Sequence, residues 1–512
     1  MKYKPGYAVF SALLSLLLAT LACAGGAAAT PTAAPTVAPP ATVAATAAPT
    51  QARPTTAPAA ATPTVAATTV ATGAATAAAT ALIEPAGATA TRPPLSGKLE
   101  VQNLTGYLDG SKYFHVVGLI TNGTDKPVNN MQVALQLSDS SGKTVLQDDS
   151  GNPTSTVSID PFINTLDTGE SSPFDFYLST QATDTASWKP KVTITGNDTP
   201  ASLQRVPVEV HNPQINAHSD GEIFLSGELV NQSDKPAQIN GFAAAMLDAA
   251  GNVVGATSVN ATARLLAPAG DANGLDRTPF VMGISGPVAD GAKPAYYLDA
   301  VQADPVDLQN SAGLHLKLNN SYVDADNGVH IIATITNSGT DTVTVQAVAG
   351  LYDQSGSVLD ADSGSTPLDM PPGSSSPAIF YYFPSVNGDS TLIQKVVSYT
   401  AQIDPYWLIS VQHDLLDLTA TNVTTDTSGS DITIKGTVVN TSKQTIDNPT
   451  VVVVAKGADG NLIAGDWTGA DATGPVKPGA KTTFSLTVQM PDKSDPAAAA
   501  YTILVQAAVS SQ

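Results

Sequence analysis

Four times along the chain, a strand-length run of alternating apolar and polar residues ends at an asparagine, turns, and continues into a second run closed by a glycine. The blocks open at Tyr113, Glu222, Val329 and Asp431, and their marker asparagines are Asn122, Asn231, Asn337 and Asn440. These lie 109, 106 and 103 residues apart, and the glycines Gly142, Gly251, Gly356 and Gly460 follow them by 20, 20, 19 and 20 residues. A period of that length marks a tandem array of like domains.

Aligned on the asparagine, one face of the first strand reads Phe114, Val116, Gly118, Ile120; Ile223, Leu225, Gly227, Leu229; Val329, Ile331, Ala333, Ile335; and Ile432, Ile434, Gly436, Val438. The third position is always small, as expected where a large side chain or another backbone approaches closely. The other face is mixed, with His115, Phe224, His330 and Thr433 at one equivalent position. Alternation of this kind predicts a half-buried strand with that second face toward solvent.

The marker asparagine suits a turn, because its side chain hydrogen-bonds backbone two residues on. Three of the four stand in Asn-X-Ser/Thr sequons, at Asn122, Asn231 and Asn440, and Asn337 does not. Turn chemistry explains all four, and glycosylation only three. At the hairpin, Asp139, Asp248 and Asp353 open a turn that Gly142, Gly251 and Gly356 close in the left-handed region. The fourth copy has Gly457 in the aspartate's place and Asp459-Gly460 at the tip. An earlier strand ends near Asn103, Asn212, Asn320 or Asn422, and later strands follow in every copy. About seven short strands in roughly 100 residues predict an immunoglobulin-like antiparallel β-sandwich. The expected domains are 97–200, 201–305, 306–405 and 406–512, joined at Asp198-Thr-Pro200, Asp304-Pro305 and Asp404-Pro405, where proline predicts junctions that are articulated but not freely flexible.

Gly350-Leu-Tyr-Asp353, Gly356 and Pro372-Gly-Ser-Ser-Ser-Pro377 resemble the FxLYD group of bacterial envelope domains, and Asn337-Ser-Gly-Thr340 is similar to a CARDB-type turn. The resemblance covers residues 97–512 and departs in the fourth copy at Lys456-Gly457. It implies a non-catalytic envelope domain with no active-site residues to carry over.

Ahead of the repeats, Lys2 and Lys4 precede an apolar run from Ala8 to Leu21, about 14 residues where a spanning helix needs ~20. This order predicts an export signal over 1–24. Thr20-Leu-Ala-Cys23 resembles the lipobox of bacterial lipoproteins, which implies lipidation of Cys23, although Thr20 stands where that family has leucine. Cleavage after Ala22-Cys-Ala24 is the alternative and leaves a free secreted protein. Residues 25–96 are nearly all Ala, Thr, Pro and Val and predict a core-less tether.

Composition narrows the chemistry. With 23 Lys and Arg against 44 Asp and Glu, a formal charge of −21 and no basic stripe, nucleic acid is excluded as a partner. The single cysteine leaves no disulfide framework or thiolate metal site. The six histidines are expected to be solvated, and no metal or cofactor is expected. Asp324-Ala-Asp326-Asn-Gly328 opens like a calcium loop but lacks the closing glutamate. Asp148-Asp149 and Asp360-Ala-Asp362 read as loop pairs without apolar surroundings to perturb them. Tyr381-Tyr-Phe383, Tyr406-Trp407 and Trp467 are expected to fill cores or junctions, with stacking on sugars as the competing role. No nucleophile has a base at recognisable spacing. The expectation is a non-catalytic surface protein anchored to the membrane through Cys23, acting as a spacer or protein-interaction stalk. The alternative is an adhesin or a carbohydrate- or calcium-binding module, with surface proteins or glycans as partners.

Overall fold

The alternating apolar positions of each marker strand become one wall of a core. The computed structural model describes residues 96–510 apart from 148–150, 182–184, 186, 199–203, 219–221, 260–261, 285–290, 310 and 497–498. The signal, Cys23, the tether, Asp148-Asp149 and Pro200 lie outside the described residues. The described chain is almost all β and belongs to one compact unit spanning 81–512.

The first repeat supplies β1 (Leu99–Leu108), β2 (Tyr113–Asn122), β3 (Val128–Ser138), β4 (Val157–Ile159), β5 (Ser171–Gln181) and β6 (Lys189–Asp198). They make two antiparallel sheets, β1-β2-β5 and β4-β3-β6. The second repeat adds β7 (Val208–Ala217), β8 (Ile223–Asn231), β9 (Ala237–Leu247), β10 (Val253–Ser258), β11 (Leu265–Leu266), β12 (Arg277–Ile284) and β13 (Lys293–Gln302). Its sheets are β7-β8-β12 and a four-stranded sheet of β9 with β10, β11 and β13. The third adds β14 (Leu314–Val323), β15 (Val329–Asn337), β16 (Val343–Tyr352), β17 (Val358–Ser365), β18 (Ser375–Phe380) and β19 (Ser398–Ser410), in sheets β14-β15-β18 and β17-β16-β19. The fourth adds β20 (Leu415–Leu418), β21 (Ala420–Asp426), β22 (Ile432–Val439), β23 (Thr450–Lys456), β24 (Leu462–Gly469), β25 (Lys481–Val488) and β26 (Ala500–Ala508). These form β21-β22-β25 and β20-β26-β23-β24.

Each repeat encloses an apolar cluster between its two sheets, so the architecture is a series of β-sandwiches. In the first, Phe114, Val116 and Ile120 of β2 meet Met131, Val133 and Leu135 of β3. Leu225 and Leu229 meet Phe242 and Met246 in the second, Ile331 and Ile335 meet Val345 and Leu351 in the third, and Ile434 and Val438 meet Val451 and Val453 in the fourth. The small third position has a specific cause. Gly118, Gly227 and Gly436 are paired across the sheet with Phe174, Phe280 and Phe484, whose rings fill the space a Cβ would take. Ala333 tolerates a methyl because its partner is Ala378.

Two details differ from the sequence reading. The strands do not end at Asn103, Asn212, Asn320 and Asn422 but run through that region with a register shift. Asn103, Asn212 and Asn422 adopt φ of 54°, 48° and 51°, a left-handed conformation that asparagine tolerates in a β-bulge. The strand β19 continues through Asp404-Pro405 with a register shift between the Asp404 and Ile409 pairings, and Ser410 still pairs with Val343.

Candidate functional site: the joints between repeats

The marker asparagines are buried, at 0 to 2% exposure, and all four make the same bonds. The Asn231 Nδ2 donates to the carbonyls of Lys235 (2.8 Å) and Ala267 (2.8 Å), and its Oδ1 accepts from the N–H of Ser233 (2.9 Å). Asn122 does so with Lys126, Leu166 and Thr124, Asn337 with Asp341, Met370 and Gly339, and Asn440 with Gln444, Val476 and Ser442. Each asparagine therefore pins a turn to the loop that crosses between the sheets. At the hairpins, Asp139, Asp248 and Asp353 each accept from a side chain, the Ser141 hydroxyl, the Asn252 amide and the Ser355 hydroxyl, and from backbone N–H groups two and four residues on, which together hold their carboxyls below the usual range. Asp459 accepts from Asn461 in the fourth hairpin. Gly142, Gly251, Gly356 and Gly460 have φ between 79° and 84°. These residues shape turns.

In the first two repeats the faces expected to meet solvent do not. In β2, His115, Val117 and Leu119 are at most 7% exposed, and in β8, Phe224, Ser226 and Glu228 are at most 8% exposed. The cause is the neighbouring repeat. Val117 and Leu119 pack with Ala245, Val253 and Ala256 of the second repeat, with Tyr107, Phe162 and Tyr297 around them. Phe224 and Val281 pack with Ala361 of the third, and Leu368 packs with Val452 and Val454 of the fourth. Each joint thus sets the outer face of one repeat's marker sheet against the outer face of the next repeat's second sheet. Gly350 allows close approach at the middle joint, since a Cβ there would sit 2.9 Å from the Pro279 Cγ.

Polar bonds reinforce every joint from equivalent positions. Asp299, Asp404 and Gln506 occupy the same register place in the last strand of repeats two, three and four, opposite Gly241, Gln346 and Thr450. Asp299 binds Arg205, which reaches the first repeat through the Thr165 carbonyl (3.1 Å) and both oxygens of Glu170 (2.7 and 3.2 Å). Asp404 accepts from the Arg264 N–H of the second repeat at 3.0 Å. Gln506 bonds both backbone groups of Asp369 in the third, accepting at 2.9 Å and donating at 3.1 Å. Asn216 and Ser226 donate to the carbonyls of Leu359 and Val358, and Asn320 and the Tyr322 hydroxyl to those of Ile463 and Gln489. The junctions expected to be articulated are closed by apolar packing and satisfied hydrogen bonds.

Two histidines expected in solvent are buried. The His115 ring stacks on Tyr107 at 4.9 Å and its Nδ1 lies 2.9 Å from both oxygens of Asp175, with Asp109 3.6 Å from Nε2. His330 stacks on Tyr322 at 4.7 Å and its Nε2 donates to Asp324 at 2.8 Å. Burial opposes protonation of both rings; Asp175 and Asp109 outweigh it at His115, whose pKa rises, while Asp324 and the more distant Asp431 do not at His330, whose pKa falls. The remaining histidines sit apart: His211 near Glu209, His218 on the Asn387 carbonyl, His315 on Ser338 and His413 on Asp369. The calcium-like loop is an ordinary turn. The Asp324 Oδ1 accepts from the N–H groups of Asp326 (2.8 Å) and Gly328 (2.7 Å), and Oδ2 is taken by His330. Among the described residues no group of three or more His, Cys, Asp or Glu is arranged to hold a metal ion.

Asp360 and Asp362 correct the sequence reading, since they lie in strand β17 and are buried. Asp360 accepts from the N–H groups of Ala361, Ser385 and Val386, and Asp362 from those of Tyr381 and Tyr382, so the pair anchors the loop after β18. Burial pushes Asp360 well up and Asp362 to about 7, with Asp404 and Asp466 at about 6. A carboxyl raised in the folded state holds its proton where the unfolded chain has lost it. Stability carried by these groups therefore falls as pH rises from about 4 to about 7. Asp362→Asn keeps the acceptor for Tyr381 and Tyr382 and cannot ionise. Denaturant unfolding across pH is expected to show the variant gaining on the parent from pH 5 to pH 8; parallel curves would contradict this.

Of the aromatic residues, Phe383 is buried in the third core, while Tyr381, Tyr382, Tyr406, Trp407 and Trp467 stay 38 to 54% exposed. Arg264 lies over the rings of Tyr406 (5.7 Å) and Trp407 (5.3 Å), a cation–π contact across the middle joint. An open groove of about 460 Å³ runs along the fourth repeat, lined by Pro475, Val476, Lys477 and Thr483 among others.

The sequence reading missed the joints, although a signal was present. The outward positions of β3 are Gln132, Ala134 and Gln136, which alternate with the core residues. The matching strands read Ala243-Ala-Ala-Met-Leu247, Ala347-Val-Ala-Gly-Leu351 and Val451-Val-Val-Val-Ala455. Continuous apolar runs of this kind belong to strands covered on both faces.

No family model matches the sequence, and no curated protein matches it. Among solved structures, red sea bream transglutaminase is 13% identical with a TM-score of 0.14, covering 38% of this chain and 28% of its own. The native conformation of E. coli alpha-2-macroglobulin is 10% identical with a TM-score of 0.12, covering 80% of this chain and 29% of its own. The chain spans less than a third of either protein, and likenesses this weak carry no argument about fold or activity.

Proposed function

We propose that this is an exported, non-catalytic surface protein of the bacterial envelope, anchored by a lipid on Cys23, whose four sandwich domains form a spacer or protein-interaction stalk. The reading rests on one observation above all: the order in the sequence of a positive start, an apolar run, a lone cysteine, a proline-rich tether and then the repeats. The closed joints support it further, because an element that holds something away from a membrane benefits from domains that do not fold back on one another. The acidic charge of −21 keeps such a stalk soluble and clear of anionic lipid. Several acyl chains on one cysteine give stable anchoring, at about 0.8 kcal/mol per buried CH₂. In cells fed labelled palmitate, the wild-type chain is expected to take up label and sediment with membranes, and Cys23→Ser to do neither. Equal, label-free behaviour of the two chains would leave a secreted protein instead.

A further inference from the structure

The three joints are one contact used three times, and the residues at the two ends of the series depart from it in a consistent way. At the fourth repeat, the marker-sheet positions that are covered in the other repeats become polar and open: Lys435 replaces Val117, Ser226 and Ile332, and β25 turns Thr483, Ser485 and Thr487 outward. The place that receives the polar bond from the next repeat also changes. Thr165 and Asp369 each precede the residue that bridges to the start of the second sheet, Arg264 stands one place earlier, and the fourth repeat has Gly474-Pro475 at these two places. A proline has no N–H to offer to a residue placed like Gln506, which takes one from Asp369 at the third joint. At the first repeat the second-sheet face is likewise open. Gln136 stands where Ala245, Gly350 and Val454 are buried, and Thr195 stands where Asp299, Asp404 and Gln506 make their bonds.

We infer that the joint is a general head-to-tail contact and that both ends of the series are closed against it, so that the number of stacked repeats is written into the end faces. The physical need is specific. A contact between two different faces of like units does not close on itself, and a chain that left one apolar marker face and one apolar second-sheet face open would add further copies without limit. Arrays of like repeats stay soluble by carrying polar residues on the outer faces of their terminal units. The face around Lys435 and the face around Gln136 have that character, and Pro475 removes the N–H that Asp369 gives at the third joint.

The test uses the full chain carrying Cys23→Ser, so that no acyl group contributes, with mass measured by light scattering and sedimentation. The parent is expected to have the mass of one chain at every concentration. One variant opens the far end with Lys435→Val, Thr437→Leu and Ser485→Val; another opens the near end with Gln136→Ala and Lys191→Ala. Their mixture is expected to give a one-to-one complex of twice the mass, and a chain carrying all five changes to form longer species. Self-association of the parent, or a mixture that stays at one-chain mass while each variant keeps the parent's circular dichroism, would overturn the inference. Should the opened faces prevent folding, the reverse change decides. Phe224→Thr, Ser226→Lys and Val281→Ser put the fourth repeat's polar set inside the middle joint, and protease is then expected to cut near Pro305 faster than in the parent. An unchanged cutting rate would again overturn the inference.

Discussion

Asn231→Ala is expected to lower the unfolding free energy by about 2–4 kcal/mol, because it takes the partner from three backbone groups at once, one of them buried. The carbonyls of Lys235 and Ala267 lose their donor, and the Ser233 N–H loses its acceptor. The side chain is wholly buried, and the Ala267 carbonyl with it, so water does not replace that partner in the folded state. Asn231→Asp separates the contributions: it keeps the acceptor for Ser233 but sets a carboxyl group against two carbonyl oxygens. It is expected to cost as much as alanine at neutral pH and less as the carboxyl protonates in acid. Denaturant unfolding of both variants measures this, and a loss under 1 kcal/mol for the alanine variant would show that the turn holds without its asparagine. The same burial explains why the sequons at Asn122, Asn231 and Asn440 describe turns: the amide nitrogen that a glycan would occupy is already donating twice.

The second large effect concerns the glycine opposite phenylalanine. A Cβ at Gly436 would lie 2.6 Å from Cε1 of Phe484, a ring that is 2% exposed and packed in the fourth core. Gly436→Ala is expected to cost about 2 kcal/mol, the order of other overpacked core substitutions. Phe484→Ala alone is expected to cost about 3–5 kcal/mol through the cavity it leaves. Combined, the two should cost clearly less than their sum, because the methyl that clashed now fills part of the void. The third repeat already contains this pairing, with Ala333 opposite Ala378. Strict additivity in the double-mutant cycle would show that the ring and the glycine do not set each other.

How much of this was legible follows the range of the interaction. Local patterns carried far. The alternation of Phe114, Val116 and Ile120 named the core face, and Asp139 with Gly142 placed the hairpin in the left-handed region. These features depend on neighbours a few residues away. Where the deciding partner lay in another repeat, the reading failed. His115 and Phe224 looked like outward positions because period two assigns faces only relative to a residue's own sheet. It cannot say that a second sheet covers the other side. Asp362 looked like a loop acid because nothing within its own stretch shows that the N–H groups of Tyr381 and Tyr382 return to meet it.

By itself, then, the sequence determined the repeat, the sandwich class, the inner faces and the turns, because alternation, glycine conformation and asparagine hydrogen bonding act within a strand and its hairpin. The tertiary structure decided which outer faces are buried, since burial of Val117, Phe224 and Val452 depends on residues roughly a hundred positions away. It also decided that histidines and carboxylates in those regions are perturbed, because desolvation is a property of the assembled joint. The block that ends at each asparagine is the same four times over. What differs is its outer face, covered by another repeat in three cases and, in the fourth, open with threonine, serine and lysine.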